Sequence, residues 1–245
     1  MDDRRAYFDR IAENVDAAVE IVRSASLARC LDIHYLEREL IPALGLNNEM
    51  VHQQPRELAE HMGRGLHIWQ YPNQLARCLA WLAINATEVR SYMEIGCRWG
   101  GTFILLSEWL RKFSPGMRFA VAVDPIEESP LVRRYREIAG YPVIYQRMLS
   151  TSREFLDFAK GAKPDVVFID GDHRMAGVMT DHAHARKYAK IILHHDIASR
   201  GCPDTTLFWQ YLKLAEDRFE AAEFVQQYES VEGNFLGIGV LKRIA

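Results

Sequence analysis

Five acid and histidine side chains follow two apolar runs of the chain. They are Asp170, Asp172 and His173 after the run 165–169, and His195 and Asp196 after the run 190–194. If the two runs are adjacent parallel strands, about 4.8 Å apart, these side chains share one rim of the sheet. Several acids in one place repel each other unless a cation or a proton intervenes. The pattern predicts a divalent metal site or a general base with its orienting partner, and solvated strand ends are the alternative.

A glycine-rich loop over residues 96–101 follows another apolar run and opens a helix. Its glycines let the backbone turn sharply and approach a ligand. Asp124 ends the next apolar run, where an acid in nucleotide-binding sheets accepts hydrogen bonds from ribose hydroxyls. Together with Glu94, the loop and Asp124 predict a nucleotide-like ligand. A plain strand-to-helix turn and a turn-forming aspartate are the alternatives.

The spacing in this loop argues against a dinucleotide. The dinucleotide fingerprint needs a second glycine two residues after the first, so that the pyrophosphate can come close. Here that position is Arg98, whose side chain would crowd the approach. A nucleoside ligand without a pyrophosphate is therefore favoured over NAD.

The elements that must position these residues begin near residue 90. Short apolar runs then alternate with amphipathic helices, which is typical of a parallel sheet with helical crossovers. The predicted strands are 91–95, 118–123, 142–146, 165–169, 190–194, 220–227 and 234–241. A short turn at residues 232–234 predicts that the last two form an antiparallel hairpin. We expect an α/β fold with a doubly wound, mostly parallel, seven-stranded sheet, in which the wholly apolar strand 166–169 is central.

The first 88 residues show helical spacing of apolar side chains and no strand alternation. We expect residues 1–88 to be a helical extension that acts as a lid or a dimer interface, and residues 89–245 to be the ligand-binding core. Trp69, Gln70 and Tyr71 come just before a helix that starts at Pro72. They are candidates to cover the ligand or to line an acceptor pocket, with packing at the helix start as the alternative.

Composition excludes several classes of protein. The 245 residues are 49% hydrophobic and 26% charged, as in an ordinary folded protein, and their net charge is −3. Because the chain has no excess of basic residues, neither a nucleic acid nor a membrane is expected as a partner. The beginning of the chain lacks an apolar signal core, and the four cysteines form no CxxC pair. A cytoplasmic protein with reduced thiols is expected.

The pattern Glu94-x-Gly96-x-x-x-Gly100-Gly101, with Asp124 after the next strand, resembles class I S-adenosylmethionine-dependent methyltransferases over about residues 90–245. The resemblance implies a Rossmann-like fold with S-adenosyl-L-methionine as cofactor. It implies that the glycine loop surrounds the methionine part, that Asp124 holds the ribose and that residues 148–150 border the adenine. The predicted cofactor contacts are Glu94, Gly96, Arg98, Gly100, Gly101, Thr102, Asp124, Leu149, Ser150 and Asp170.

The acid and histidine segments are similar to those of small metal-dependent O-methyltransferases that tailor sugars and antibiotics, nearest to the cephalosporin hydroxylase group. This resemblance implies that Asp170, His195 and Asp196 hold a divalent metal ion (magnesium, manganese, iron or another). It also implies that Asp172 is a catalytic base, with His173 as a second candidate. The family usually has a carboxylate where this chain has His195. Imidazole suits iron, zinc, manganese or nickel better than magnesium.

The expected function is metal-assisted methyl transfer to a hydroxyl oxygen of a small molecule, such as a sugar, an antibiotic or another natural product. One alternative is a metal-independent methyltransferase that uses Asp172 or His173 as its base. Others are an NAD-binding oxidoreductase and a non-catalytic Rossmann-like binding protein. A small-molecule acceptor is the expected partner, and the N-terminal helices are a candidate surface for a homo-oligomer.

Overall fold

Seven strands form one sheet in the computed structural model, which describes residues 3–244. They are β1 (Ser91–Ile95), β2 (Phe119–Asp124), β3 (Val143–Arg147), β4 (Val166–Ile169), β5 (Ile191–His195), β6 (Phe219–Phe224) and β7 (Ile238–Arg243). The strand order is β3-β2-β1-β4-β5-β7-β6. Strands β1 to β5 pair in parallel, whereas β7 is antiparallel to both β5 and β6. The predicted α/β fold is confirmed, and β4 is its central strand.

Helices cover both faces of the sheet. They are α1 (Asp3–Ala12), α2 (Val15–Ser24), α3 (Leu27–Cys30), α4 (Ile33–Tyr35), α5 (Ile41–Leu44), α6 (Pro72–Asn85), α7 (Gly101–Phe113), α8 (Pro130–Ile138), α9 (Arg153–Ala162), α10 (Met175–Ala185) and α11 (Pro203–Ala215). One apolar core joins α2, α6, α7 and α8 to the sheet, and a second joins α9, α10 and α11 to its other face. None of the helices within residues 3–244 is long and apolar enough to cross a bilayer.

The carboxyl ends of β1 and β4 mark the reversal of strand order. From β1 the chain proceeds to β2 and β3 on one side, and from β4 to β5 on the other. The loops that follow these strands all lie at the carboxyl edge of the sheet. A crevice opens at this edge between β1 and β4, because the chain leaves the two strands toward opposite sides. All five residues of β1 are buried, because helices cover both of its faces.

The last two strands differ from the expected hairpin. They are antiparallel neighbours, as predicted, but residues 225–237 replace the short turn expected at 232–234. This long connection is tied to α6 through Gln74. The Gln74 amide donates to the carbonyl of Gln226 at 2.8 Å, and the N–H of Gly237 donates to Gln74 Oε1 at 3.0 Å.

The N-terminal region is helical but more broken than its apolar spacing predicts. Its first two helices, α1 and α2, are separated by residues 13–14. Residues 36–40 form a π-helical turn just before Pro42. Proline has no N–H to donate back into the preceding turn, so regular α-helical bonding cannot continue through it.

An ion pair between the partly exposed Arg23 and the buried Glu108 joins α2 to the sheet domain. Glu108 on α7 is 3% exposed and accepts a hydrogen bond from Arg23 Nε at 2.8 Å. The hydroxyl of Tyr135 donates to the same carboxylate at 2.8 Å. Both groups satisfy the oxygens of this buried carboxylate.

The substitution Arg23→Met should lower the free energy of unfolding by about 2–4 kcal/mol, since it leaves the buried Glu108 carboxylate without its cation. Urea denaturation measures the loss. Arg147→Met is the matched control, because the Arg147–Glu127 pair is exposed on both sides, and its loss should stay below about 1 kcal/mol. Equal losses of unfolding free energy in the two variants would contradict a structural role for the Arg23–Glu108 pair.

Candidate functional site

A cavity of about 940 Å³ opens at the carboxyl ends of β1, β2, β4 and β5. This volume is within the range of pockets that enclose small molecules and cofactors, about 300–1,000 Å³. Its lining includes every residue that the sequence predicted for cofactor, metal or catalysis. The fold therefore brings all of these residues together, and their contacts with a ligand stay predictions.

The glycine loop is packed against protein backbone. Gly96 has φ +85°, and a Cβ there would lie 2.1 Å from the carbonyl oxygen of Asp170. A Cβ on Gly101 would lie 2.0 Å from the carbonyl oxygen of Leu66. The sequence pattern predicts that these glycines make room for a ligand. In the structure they let two loops approach the tip of β1.

Arg98 connects the glycine loop to the loop over residues 45–71. Its N–H donates to Asp124 Oδ2 at 2.7 Å, and its guanidinium donates to Glu49 Oε2 at 2.7 Å. The guanidinium also lies 4.8 Å from the centre of the Trp69 ring. The backbone of Arg98 thus orients the carboxylate at the end of β2, while its side chain holds the 45–71 loop over the cavity.

Glu94 is a buried acid in the cavity wall. It is 1% exposed and accepts a hydrogen bond from the hydroxyl of Tyr92. Burial raises the pKa of Glu94 well above its ordinary value, and the nearby carboxylates of Asp170 and Asp124 raise it further. A positive charge in the cavity would favour its ionised form.

Carboxyl groups outnumber arginines in the lining of the cavity. Its five carboxyl groups are Glu94, Asp124, Asp170, Asp172 and Asp196, beside two arginines, Arg98 and Arg174. Both guanidiniums are engaged by carboxylates, Arg98 by Glu49 and Arg174 by Asp172. The remaining acids favour a cationic ligand.

Four side chains, which we term the rim cluster, meet where β4 and β5 end. They are Asp170, His173, His195 and Asp196, and one ligand atom from each lies within 4.8 Å of all the others. Asp170 Oδ1 is 2.8 Å from His195 Nδ1 and 3.2 Å from His173 Nε2. Asp196 Oδ2 is 3.3 Å from His173 Nε2 and 3.6 Å from His195 Nδ1.

The ionisable groups of the rim cluster shift one another's pKa values. Burial raises the pKa of Asp170, but the two imidazoles outweigh this effect and lower it to about 2. Burial lowers the pKa of His173, but its hydrogen bonds to Asp170 and Cys202 and the nearby Asp196 raise it to about 11. In the absence of a bound cation, protons on the imidazoles therefore balance the carboxylates.

The donor set of the rim cluster fits a divalent cation. Two carboxylate oxygens and two ring nitrogens face one another, and both residue types bind first-row metals. Asp196 is 5% exposed, yet its Oδ1 atom has no hydrogen-bond partner within residues 3–244. A buried oxygen of this kind has lone pairs available for an ion.

Asp172 lies beside the rim cluster but pairs with a different group. Its Oδ2 is 2.7 Å from the guanidinium of Arg174, and its Oδ1 accepts the N–H of that residue at 3.1 Å. The hydrogen bonds from Arg174 lower the pKa of Asp172. A lowered pKa makes a carboxylate a weaker base, and the predicted base role of Asp172 stays a prediction.

The structure also adds residues to the site that sequence reasoning missed. The cavity is lined by Met50, Gln53, His67, Cys202, Phe235 and Leu236. Most of them lie in the irregular loops 45–71 and 225–237, whose sequences show no periodicity to indicate where they fold. Of the three residues before α6, Trp69 lines the cavity, while Gln70 and Tyr71 are buried in the packing beneath it.

Asp181 is a further buried acid, and it lies behind the cavity wall. It sits on α10, is 0% exposed, and one of its oxygens would be 3.5 Å from a Cβ on Gly171. Burial raises the pKa of Asp181 to about 6, against the opposing effect of the Ser150 hydroxyl. Its position within a helix of mixed polarity explains why the sequence did not single it out.

Comparison with known families gives one match. Residues 93–197, from β1 to the residue after the rim cluster, match the family model described as a methyltransferase domain. No curated protein matches the chain.

Comparison with solved structures shows a shared fold. An O-methyltransferase from Bacillus cereus, in complex with S-adenosylhomocysteine, is 19% identical, has a TM-score of 0.52, and aligns over 71% of this chain and 83% of its own. A second structure is the O-methyltransferase TomG from Streptomyces achromogenes, involved in tomaymycin synthesis and in complex with S-adenosylmethionine. It is 16% identical, has a TM-score of 0.51, and aligns over 72% of this chain and 82% of its own. A candidate rRNA-methylase from Clostridium thermocellum is 12% identical, has a TM-score of 0.53, and aligns over 72% of this chain and 100% of its own.

The substitution Gly96→Ala should lower the free energy of unfolding by at least about 2 kcal/mol. A non-glycine residue at positive φ costs about 1–3 kcal/mol, and the added Cβ also overlaps the Asp170 carbonyl. Thermal unfolding checks the loss. Gly161→Ala on α9 is the matched control, because no atom lies within 4 Å of its added Cβ. Stability retained in Gly96→Ala would refute the close approach of β1 and β4.

The substitution Asp181→Asn should stabilise the protein at pH 8 by about 1–3 kcal/mol and change little at pH 4. The folded-state pKa of Asp181 is raised above its ordinary value, so its contribution to stability is present at low pH and is lost as the pH rises through about 6. Urea denaturation at pH 4, 6 and 8 measures the difference. Asp157→Asn, at an exposed position on α9, should give no such trend.

Proposed function

We propose that this chain transfers a methyl group from S-adenosylmethionine to an oxygen of a small molecule, because residues 93–197 match the family model of a methyltransferase domain and the sheet has the strand order β3-β2-β1-β4-β5-β7-β6. The observation that carries the proposal is the acidic cavity at the strand reversal, with Glu94 and Asp124 on either side of the glycine loop. The two O-methyltransferases of similar fold, crystallised with S-adenosylhomocysteine and S-adenosylmethionine, support the choice of cofactor.

The cavity residues fit this cofactor in charge. S-adenosylmethionine supplies an electrophilic methyl group on a positively charged sulfonium. Glu94 offers a buried acid to the charged methionine end. Asp124 accepts one backbone N–H on each oxygen, at 2.7 and 3.1 Å, and each oxygen retains a lone pair for a ribose hydroxyl. Leu149 and Ser150 would border the adenine.

The acceptor would occupy the part of the cavity formed by the two irregular loops. Met50, Trp69, Phe235 and Leu236 line it with apolar and aromatic surface, and Gln53 adds an amide. A small hydroxylated molecule with an apolar body suits such a lining. We propose that the 45–71 loop is the lid of this cavity, held by the contact of Arg98 with Glu49.

Activation of the acceptor oxygen is assigned to the rim cluster. Asp170, His195 and Asp196 would hold a divalent cation, and a bound cation lowers the pKa of a coordinated hydroxyl. The metal-free alternative uses His173 or Asp172 as the base. The contacts favour the cation, because His173 Nε2 already faces two carboxylates and Asp172 is paired with Arg174.

Calorimetric titration with S-adenosylmethionine tests the cofactor. The wild type should bind it, and Asp124→Ala should weaken binding by about 1.5–3 kcal/mol, the scale of a hydrogen bond to a charged group. Asp157→Ala, at an exposed position on α9, should bind as the wild type does. No heat from the wild type at millimolar cofactor would overturn the proposal. Unchanged affinity in Asp124→Ala would remove that residue from the site.

Methyl transfer is tested with radiolabelled S-adenosylmethionine against a panel of phenols, sugars and hydroxylated natural products. Label in an ether-linked methyl group of one of these compounds is the expected result. Ribosomal RNA is included because a candidate rRNA-methylase has a similar fold. Label in RNA alone would overturn the small-molecule assignment.

A further inference from the structure

We propose that the rim cluster is a four-ligand site for a first-row transition metal ion, with His173 as a metal ligand. The proposal relies on the proposed function for the role of the ion, whereas binding of the ion rests on the rim cluster alone. Two carboxylates and two imidazoles would make the site selective for manganese, iron, cobalt, nickel or zinc over magnesium.

The nitrogen–oxygen distances in the rim cluster are similar to the distances between ligand atoms that bind one metal ion. With metal–ligand bonds of about 2.0–2.2 Å, neighbouring ligand atoms lie roughly 2.8–3.1 Å apart in octahedral geometry and roughly 3.3–3.6 Å apart in tetrahedral geometry. The four nitrogen–oxygen separations between the imidazoles and the carboxylates are 2.8, 3.2, 3.3 and 3.6 Å. Small movements of side chains would place all four atoms around one ion.

The backbone holds three of these ligands in place. His195 ends β5 and Asp196 follows it, and the two residues are 4% and 5% exposed. Asp170 follows β4, which pairs with β5 through Ile169 and His194. The N–H of Asp170 donates to the carbonyl of Ile95 at 2.8 Å. The ligands from the two strands therefore belong to one rigid sheet edge.

His173 reaches the same point from a loop. Its side chain is 38% exposed, so it closes the cluster on the side of the cavity. Its Nε2 atom faces both Asp170 and Asp196, as expected of a ligand that completes a partly formed site. The backbone carbonyl of His173 accepts a hydrogen bond from Thr205 on α11 at 3.2 Å, which fixes this loop.

Hydrogen bonding alone leaves the cluster incomplete. Both imidazoles aim at the same carboxylate oxygens, while Asp196 Oδ1 has no partner within residues 3–244. Buried polar atoms are normally paired, and an ion held by both carboxylate oxygens of Asp196 would satisfy Oδ1 as well as Oδ2. Magnesium prefers an all-oxygen octahedron that keeps several waters, whereas imidazole nitrogen binds the later divalent metals.

Calorimetry on the chelator-treated full chain, with Co²⁺ and Mg²⁺ as separate probes, tests the site. Co²⁺ should bind at least about tenfold more tightly than Mg²⁺. His173→Gln should weaken Co²⁺ binding by about 10–100-fold. His34→Gln, at an exposed position on α4, is the matched control and should bind as the wild type does. Equal affinity for the two ions, or unchanged Co²⁺ binding in His173→Gln, would overturn the proposal.

Nitrogen couplings in the electron spin-echo envelope modulation of bound Mn²⁺, a pulsed form of electron paramagnetic resonance, report the imidazoles directly. Couplings from two imidazoles are expected in the wild type and from one in His173→Gln. A spectrum without nitrogen couplings would overturn the proposal. His195→Asp should shift the preference toward Mg²⁺, and thermal unfolding shows whether that variant is folded.

Titration of the same metal-free sample with S-adenosylmethionine separates this inference from the proposed function. Metal binding with no cofactor binding would overturn the proposed function and leave the metal site standing. Cofactor binding with no metal binding would overturn the metal site and make a metal-free base the better mechanism.

Discussion

The close approach of the β1 and β4 tips is the constraint on which the site depends. Gly96 and Asp170 lie so near each other that a single added methyl group would overlap the Asp170 carbonyl at 2.1 Å. Hydrogen bonds run from the N–H of Gly96 to Val123 and from the N–H of Asp170 to Ile95, each at 2.8 Å. Three strand ends are thereby joined. Glu94 and Asp124 on one side and the rim cluster on the other are held at fixed positions around the same cavity.

Charge is the second constraint, and it follows from this geometry. A sheet edge that gathers five carboxyl groups must balance them by protonation, by ion pairs or by bound cations. The structure uses the first two: Glu94 has a raised pKa, Arg174 pairs with Asp172, and the imidazoles of the rim cluster face Asp170 and Asp196. A sulfonium cofactor and a metal ion would supply the third at two separate points of the cavity.

The choice of acceptor depends on parts of the molecule outside the shared fold. Similar sheets occur in O-methyltransferases and in a candidate rRNA-methylase, so the sheet does not select the substrate. In this chain the loops 45–71 and 225–237 complete the cavity and contact each other. Tyr71 packs edge-on against Tyr228 with ring centres 5.5 Å apart, and Ser230 donates to Glu57 at 2.7 Å. The two loops therefore form one wall of the cavity.

The amino-acid sequence by itself determined the fold class and many of the cavity residues. Local patterns carry that information, because a buried parallel strand requires a short apolar run and its loop requires glycine at positive φ. The family match over residues 93–197 confirms the predicted methyltransferase resemblance. Only the tertiary structure decided which groups pair. It placed His173 within the rim cluster, paired Asp172 with Arg174, and made Gly96 a packing residue. It also brought Met50 and Phe235 into the cavity from irregular loops. These outcomes depend on contacts between segments that are distant in the chain, and such contacts leave no local pattern in the sequence.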